Sequence, residues 1–346
     1  MKKHIAVVTD PFFNKNRLFA TEDLLANRDD CLRPWIDLRK ALTDLNVVLA
    51  TRDMVTERPD LYIFINMPAP HSAEFTTAVQ SGVPLIAVLN EHPRINPWNQ
   101  RSAFHDNFAR IFTYDEHAIE QGLPYSRLKY PVAWPDQITG TFERPLFAVM
   151  IAANKRMNAK GELYSARIET IRWFERHHPA DFSLYGRGWS DQTVWVTARS
   201  KCSILWRLIP QAQKQVGNSV FKGEINIKRE ILSKTRFSIV YENAGNIRGW
   251  ITEKIFDAIT AGSVPVYYGP PDIHDHIPAG CFIDRRAYRT HEQLWAELIS
   301  WDQARYSQWL DSVNAFRASD LGKSFSMASF LDALISEIRR LLFPAQ

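Results

Sequence analysis

The run from Arg236 to Pro271, RFSIVYENAGNIRGWITEKIFDAITAGSVPVYYGPP, constrains the chain more than any other. It reads as strand, loop, helix and strand. Phe237 to Tyr241 is a short apolar run of strand-favouring residues, closed by the polar pair Glu242-Asn243. The AGNIRGW that follows holds two glycines and an asparagine, the composition of a loop. Thr252 suits a helix N-cap and Gly262 a helix stop. Between them Ile255, Ala258 and Ile259 share one face, with Phe256 beside them, and Val264 to Tyr268 is the returning strand. Such a β-α-β unit joins parallel strands by a right-handed crossover. Its polar residues then lie outside the carboxyl end of the first strand and at the helix start, where α/β sheets bind ligands. A helix N-terminus offers unpaired N–H groups and partial positive charge, and Lys254 adds a full charge in the first turn. That combination suits phosphate.

The remaining chain repeats the pattern. Apolar strands are expected at 5–8, 47–49, 61–65, 83–89 and 111–114, with an amphipathic helix over 33–42 and another over 73–80. SGVPLIAV in the first half echoes AGSVPVYYG in the second, as two doubly wound halves would. Residues 123–142 carry Pro124, Pro131 and Pro135 and read as a linker. A second set follows: a strand at 146–151, a helix at 162–176, a strand at 182–185, and a short strand within 278–284. Residues 190–222 resist assignment, reading either as a surface excursion or as a membrane-contacting segment. The expected domains are therefore 1–142, 143–325 and a C-terminal helix over 326–346 that returns to brace the first domain.

Composition narrows the classes of partner. With 346 residues the chain suits two domains, each with its own core. The net charge of +4 is mild and no basic stripe stands out, which excludes nucleic acid as the expected partner. Three scattered cysteines, Cys31, Cys202 and Cys281, form no CxxC and point to a reducing compartment. No stretch reaches the ~20 apolar residues of a membrane span. Arg339-Arg340 in the last helix belongs either on a solvated face or against anionic lipid, so a cytoplasmic protein with at most peripheral membrane contact is expected. Asp272, His274, Asp275 and His276 lie in a proline-rich turn without regular ligand spacing, so no metal site is expected there.

The central run also carries a resemblance. Asn243, then Ile-Thr-Glu-Lys-Ile, then Ala-Gly-Ser-Val-Pro-Val-Tyr-Tyr-Gly-Pro-Pro resembles the signature of the α-1,3-fucosyltransferases, glycosyltransferase family 10, and FKGEINIKREILSKTRF resembles its lead-in. The resemblance is clearest over 219–284. It implies an α/β GT-B fold, two Rossmann-like domains facing across a cleft, with GDP-fucose as donor and inversion at the anomeric carbon. The implied acceptor is an oligosaccharide or glycolipid, with O3 of GlcNAc or a related sugar of a bacterial surface glycan such as lipopolysaccharide O-antigen as the attacked position. Two other readings stand beside it: a transferase of the same fold using another nucleotide sugar, and a non-catalytic nucleotide- or glycan-binding protein.

Residue roles follow from leaving-group chemistry. A nucleoside diphosphate gathers negative charge as the glycosidic bond breaks, and either a metal or cationic groups must hold it. The chain has no Asp-x-Asp, whereas Lys254 and Arg167 supply cations, so neither metal nor cofactor is expected. Lys254 is assigned to the β-phosphate and Glu253 to the ribose hydroxyls. Asn243 is assigned to the donor. Trp250, where the family usually has a tyrosine, packs either on the donor or in the core. The family's pyrophosphate arginine corresponds to Arg167, with Arg172 or Arg156 as alternatives. An inverting displacement also needs a base for the acceptor hydroxyl. Glu91, in Asn90-Glu91-His92-Pro93, resembles the family's Glu-Ser-Pro and is assigned that role, with His92, Arg94 and Trp98 lining the acceptor side. Gly186-Arg187-Gly188 reads either as a nucleotide loop or as an ordinary turn.

Overall fold

The computed structural model describes residues 2–23, 25–93, 95–100, 102–157, 159–189, 195–196 and 219–344. Two compact units are formed, one by Met1–Ala133 with Ser324–Gln346 and the other by Trp134–Lys323. The break therefore precedes the expected 142/143 boundary, and packing explains why. The Trp134 indole donates to the Gly322 carbonyl at 3.1 Å and meets Phe256 and Phe316 edge-on at 5.6 and 5.9 Å. Ile138 N and Phe142 N are bonded to Asn314 Oδ1 and Gln303 Oε1, so the proline-rich residues after 133 are fastened to the second unit.

The first unit is built on a sheet of β1 (Lys3–Val8), β2 (Val47–Thr51), β3 (Leu61–Ile65), β4 (Leu85–Val88), β5 (Arg110–Thr113) and β6 (Tyr125–Arg127). Their spatial order is β2-β1-β3-β4-β5-β6 and every pair is parallel. β6 corrects the reading of 123–142 as linker throughout: three residues are too few to show a period among prolines. Helices α1 (Arg33–Thr43), α2 (Ala73–Gln80) and α3 (Glu116–Ile119) join the strands. The C-terminal helix, Met327–Leu342, belongs to this unit. Phe330, Leu334, Ile338 and Leu342 recur at four-residue spacing and are buried in one core with Trp35, Leu38 and Leu42 of α1. Burying each such side chain contributes about 1.5–3 kcal/mol. On the same helix Glu337 is paired with Arg110 at 3.3 Å and with Arg340 at 2.6 Å. Among the described residues no helix is long and apolar enough to cross a membrane.

The second unit contains β7 (Leu146–Ile151), β8 (Lys155–Arg156), α4 (Tyr164–His177), β9 (Phe182–Tyr185), β10 (Trp195–Val196) and β11 (Phe221–Gly223). Then come α5 (Lys228–Leu232), β12 (Thr235–Tyr241), α6 (Glu253–Thr260), β13 (Val264–Tyr268), α7 (Ile273–His276) and β14 (Ile283–Asp284). β8 and β10 pair with each other, and the main sheet runs β11-β9-β7-β12-β13-β14, parallel throughout. Counted within that sheet the order is third, second, first, fourth, fifth, sixth. This is the doubly wound order in which the chain reverses direction between the first and fourth strands, here β7 and β12, and ligands bind outside the carboxyl ends at that point. Ile255, Ala258 and Ile259 of α6 are fully buried against the sheet. Gly262 ends the helix at φ +70°, and a Cβ there would stand 2.7 Å from both Arg144 Nη2 and the Thr139 carbonyl.

Candidate functional site

The crevice between β7 and β12 is assembled from three segments. The loop leading into α4 pairs with the loop leaving β12: Leu163 N donates to the Asn243 carbonyl at 3.0 Å, and Gly245 N to the Gly161 carbonyl at 2.9 Å. This brings the start of α4 to the end of β12. Arg167, on the first turns of α4, is 8% exposed and donates from Nη2 to the Tyr241 carbonyl at 2.6 Å and to Asn243 Oδ1 at 2.9 Å. Its guanidinium also lies 4.8 Å above the Tyr164 ring. Burial lowers its pKa, partly offset by Tyr164 and Glu242, yet a guanidinium stays charged in proteins. A buried cation bonded to the protein through one terminal nitrogen keeps further N–H groups for an anion.

On the other side of the strand end stands Lys254, its side chain one quarter exposed. Its ammonium donates to Glu242 Oε2 at 2.9 Å and to Thr252 Oγ1 at 2.7 Å. Glu242 is wholly buried, and Thr252 N and Tyr267 Oη also donate to its Oε1, at 3.0 and 3.1 Å. Burial works to lower the Lys254 pKa, but the charges of Glu242 and Glu253 and the Glu242 hydrogen bond outweigh it and raise it. Glu253 begins α6 with its carboxylate 3.8 Å from both Lys228 and Lys254. Burial works to raise its pKa, but those two ammonium charges hold it down at about 2. Thr252 occupies the N-cap position as expected, but its hydroxyl makes no cap bond because it is committed to Glu242. Two cations, an ionised carboxylate and an uncapped helix start thus meet at the end of one strand.

In the first unit, Glu91 follows β4 and is held by its backbone. Its N–H donates to Asn66 Oδ1 at 2.8 Å, and its carbonyl accepts from Asn99 Nδ2 at 2.7 Å and from Tyr114 Oη at 2.9 Å. Asn66 follows β3 at φ +64°, in the left-handed region, where asparagine is tolerated. Its side-chain oxygen accepts from Asn90 N and Asn99 Nδ2 as well. Burial, with the charges of Asp115 and Glu91, pushes the Tyr114 pKa far up, so that hydroxyl remains a donor.

The residues singled out from sequence are therefore distributed as follows. Arg167, Asn243, Glu253 and Lys254 come together at the crevice of the second unit. Trp250 is 2% exposed and lies in the interior of the same loop, with the position of core packing rather than of an open platform. Glu91, His92 and Trp98 share the first unit's loop: Trp98 is 40% exposed, while His92 is 2% exposed. Arg94 and most of 190–222 lie outside the described residues. Asp272 serves as a loop anchor, accepting from Gly249 N at 3.0 Å and facing Arg248 and His276. Among the described residues no group of three or more His, Cys, Asp or Glu is placed to hold a metal. Gly186 is required by an ordinary close approach: at φ +133°, a Cβ would stand 2.1 Å from the Ala152 carbonyl. Sequence reasoning passed over Glu242, Tyr267, Asn66, Asn99 and Tyr114. For Glu242 a signal existed, since a carboxylate closing an apolar strand must find donors.

Residues 195–332 match the family model described as glycosyltransferase family 10 (fucosyltransferase) C-term. A putative fucosyltransferase-like protein of Arabidopsis thaliana is 46% identical over 52 residues, 15% of this chain and 10% of that protein. The alpha-(1,3)-fucosyltransferase FucT of Helicobacter pylori is 26% identical over 86 residues, 25% of this chain and 18% of that protein. Aligned segments span between 10% and 25% of the curated relatives' lengths. A crystal structure of an alpha1,3-fucosyltransferase superposes with a TM-score of 0.57 at 12% identity, covering 100% of this chain and 92% of that one. A crystal structure of an alpha1,3-fucosyltransferase with GDP-fucose gives a TM-score of 0.52 at 14% identity, covering 100% of this chain and 91% of that one. The likeness shows the fold, two parallel-sheet α/β units of the GT-B class.

Proposed function

Since residues 195–332 match the model of glycosyltransferase family 10, the fucosyltransferases, we propose that the chain transfers L-fucose from GDP-fucose to a sugar hydroxyl with inversion. The observation that carries the reading is the convergence of Arg167 and Lys254 on the end of β12, at the reversal point of the second sheet. There the diphosphate meets two cations and the open start of α6, while Glu253, ionised, accepts from the ribose diol. As the bond from the anomeric carbon to the β-phosphate oxygen breaks, the electron pair leaves with GDP and its charge is stabilised by Arg167 and Lys254. No divalent ion is needed for that step. The acceptor oxygen forms the new bond on the opposite face, and its proton passes to Glu91, directly or through one water. Trp98 supplies an exposed apolar face for the acceptor sugar.

The acceptor is an oligosaccharide or glycolipid, with O3 of GlcNAc or a related residue of a bacterial surface glycan such as O-antigen as the proposed target. Incubation with GDP-fucose and a panel of such oligosaccharides in EDTA, followed by mass spectrometry, tests the reading. The expected product is the acceptor plus one deoxyhexose. Thermal protection by UDP but not GDP, with no product from GDP-fucose, would overturn it.

A further inference from the structure

Glu242 touches no solvent, and so touches no ligand, yet both Thr252 and Lys254 at the start of α6 are bonded to it. Three segments send donors to its two oxygens: the loop residue Thr252 through N and Oγ1, α6 through Lys254 Nζ, and β13 through Tyr267 Oη. A buried carboxylate is tolerated only when charge and hydrogen bonds surround it in this way. The arrangement has two consequences for the surface above it. The Thr252 hydroxyl, the side chain best placed to cap α6, is committed to Glu242, so the N-cap residue makes no side-chain bond to the first-turn N–H groups. The Lys254 ammonium is tied at two points, 2.9 Å from Glu242 and 2.7 Å from Thr252, instead of ranging over its rotamers.

We propose that Glu242 is the positioning residue of the donor site, holding Thr252 and Lys254 so that an uncapped helix start and a fixed ammonium together face the diphosphate. The inference rests on the reading of Lys254 as a phosphate ligand. Four further groups complete the surroundings of this lysine. Glu253 lies 3.8 Å away on its own helix, Arg167 of α4 opposes its charge, Lys228 of α5 faces Glu253, and Tyr267 shares Glu242. With Glu242 neutral, burial and Arg167 are left against Glu253 alone, and the ammonium loses its proton at lower pH than in the native protein.

Calorimetric titration with GDP at about pH 7.5 and about pH 9.5 tests this, since a packing role alone leaves the ratio between the two pH values unmoved. Glu242→Gln is expected to weaken GDP about tenfold at the lower pH and about a hundredfold at the higher, against less than about threefold between the two for the native chain. In the double variant Glu242→Gln with Lys254→Arg the extra alkaline loss should vanish, because a guanidinium does not deprotonate there. Affinity in Glu242→Gln within about threefold of native at both pH values, with Lys254→Met weakened, overturns the positioning role and leaves the phosphate role standing. Unchanged affinity in Lys254→Met overturns the phosphate role, and the inference with it. Should Glu242→Gln fail to fold, Glu242→Asp retains the charge but withdraws it by one methylene. It is expected to lose about tenfold without the alkaline dependence, and native affinity in that variant overturns the proposal.

Discussion

The loop after β4 in the first unit and the loop after β12 in the second each carry a glutamate shortly past the end of a parallel strand, and they are fastened by opposite chemistry. Glu91 is held by its backbone, through the neutral groups of Asn66, Asn99 and Tyr114. Glu242 is held by its side chain, through an ammonium, a hydroxyl, a phenol and an N–H. The difference teaches how each carboxylate is to be used. The bonds that fix the first loop run to the Glu91 N–H and carbonyl, whereas in the second loop the carboxylate itself, taken up by four donors, is a strut. Neutral amides also hold their bonds across the whole pH range, while the second loop depends on charges that titrate.

The largest expected effect separates the two glutamates. Glu91→Gln should lower kcat by about a hundred- to ten-thousandfold, the usual loss of a general base, with GDP affinity nearly kept. Activity close to native in that variant would remove Glu91 from the chemistry and break the contrast. Next in size, Lys254→Ala should weaken GDP by about ten- to a hundredfold in calorimetry, corresponding to the roughly 1.5–3 kcal/mol of a hydrogen bond to a charged group. The same substitution should leave the first unit's loop untouched.

How legible each loop was follows from the same contrast. The strand, helix and strand from 235 to 268 were readable because their signals are local: an apolar run, a cap residue, a four-residue face and a glycine stop. Lys254 was readable because it sits in the first helical turn, where a cation is unusual. Glu242 was not, because its donors come from residues 10 to 25 positions away and nothing local says which way its side chain points. Asn66 was harder still. Its partners lie 24, 25 and 33 residues along the chain, and an asparagine before a proline-rich stretch reads as an ordinary turn. The burial of His92, and the choice between donor and core for Trp250, could not be read for a related reason. Polar or aromatic residues in glycine- and proline-rich loops look exposed, and only long-range packing shows that both are interior.

A third prediction uses Asn66 to sharpen the comparison. Asn66→Ala leaves Asn90 N and Glu91 N without their acceptor, takes one of two acceptors from Asn99 Nδ2 and places alanine at φ +64°. Unmade partly buried bonds and the left-handed backbone together should cost about 2–4 kcal/mol of stability. Denaturant unfolding should show it, with a fall in kcat and unchanged GDP affinity. Asn66→Asp keeps the accepting oxygen and should retain most of the stability. Equal losses in both would mean that the side-chain oxygen is not what holds the loop.

The smallest effect concerns pH. The folded Glu253 carboxyl lies near 2 instead of its usual value of about 4.5, because the charges of Lys254 and Lys228 overcome the opposing effect of burial. A carboxyl lowered on folding stabilises the folded state above its unfolded pKa, and that contribution fades as the pH falls through the folded value. The window therefore runs from about pH 4.5 down to about 2, and nothing is lost from this source at neutral pH. Glu337 in the first unit is lowered too: burial opposes, but hydrogen bonds and charge from Arg340 and Arg110 prevail, so native melting alone does not isolate Glu253. The difference between native protein and Glu253→Gln does. Melting temperatures of the two should converge as the pH falls from about 4.5 toward 2, with the native protein the more stable above that window. A constant difference across the window would mean that Glu253 is not held ionised by its lysines, and that the second loop is less dependent on charge than its distances indicate.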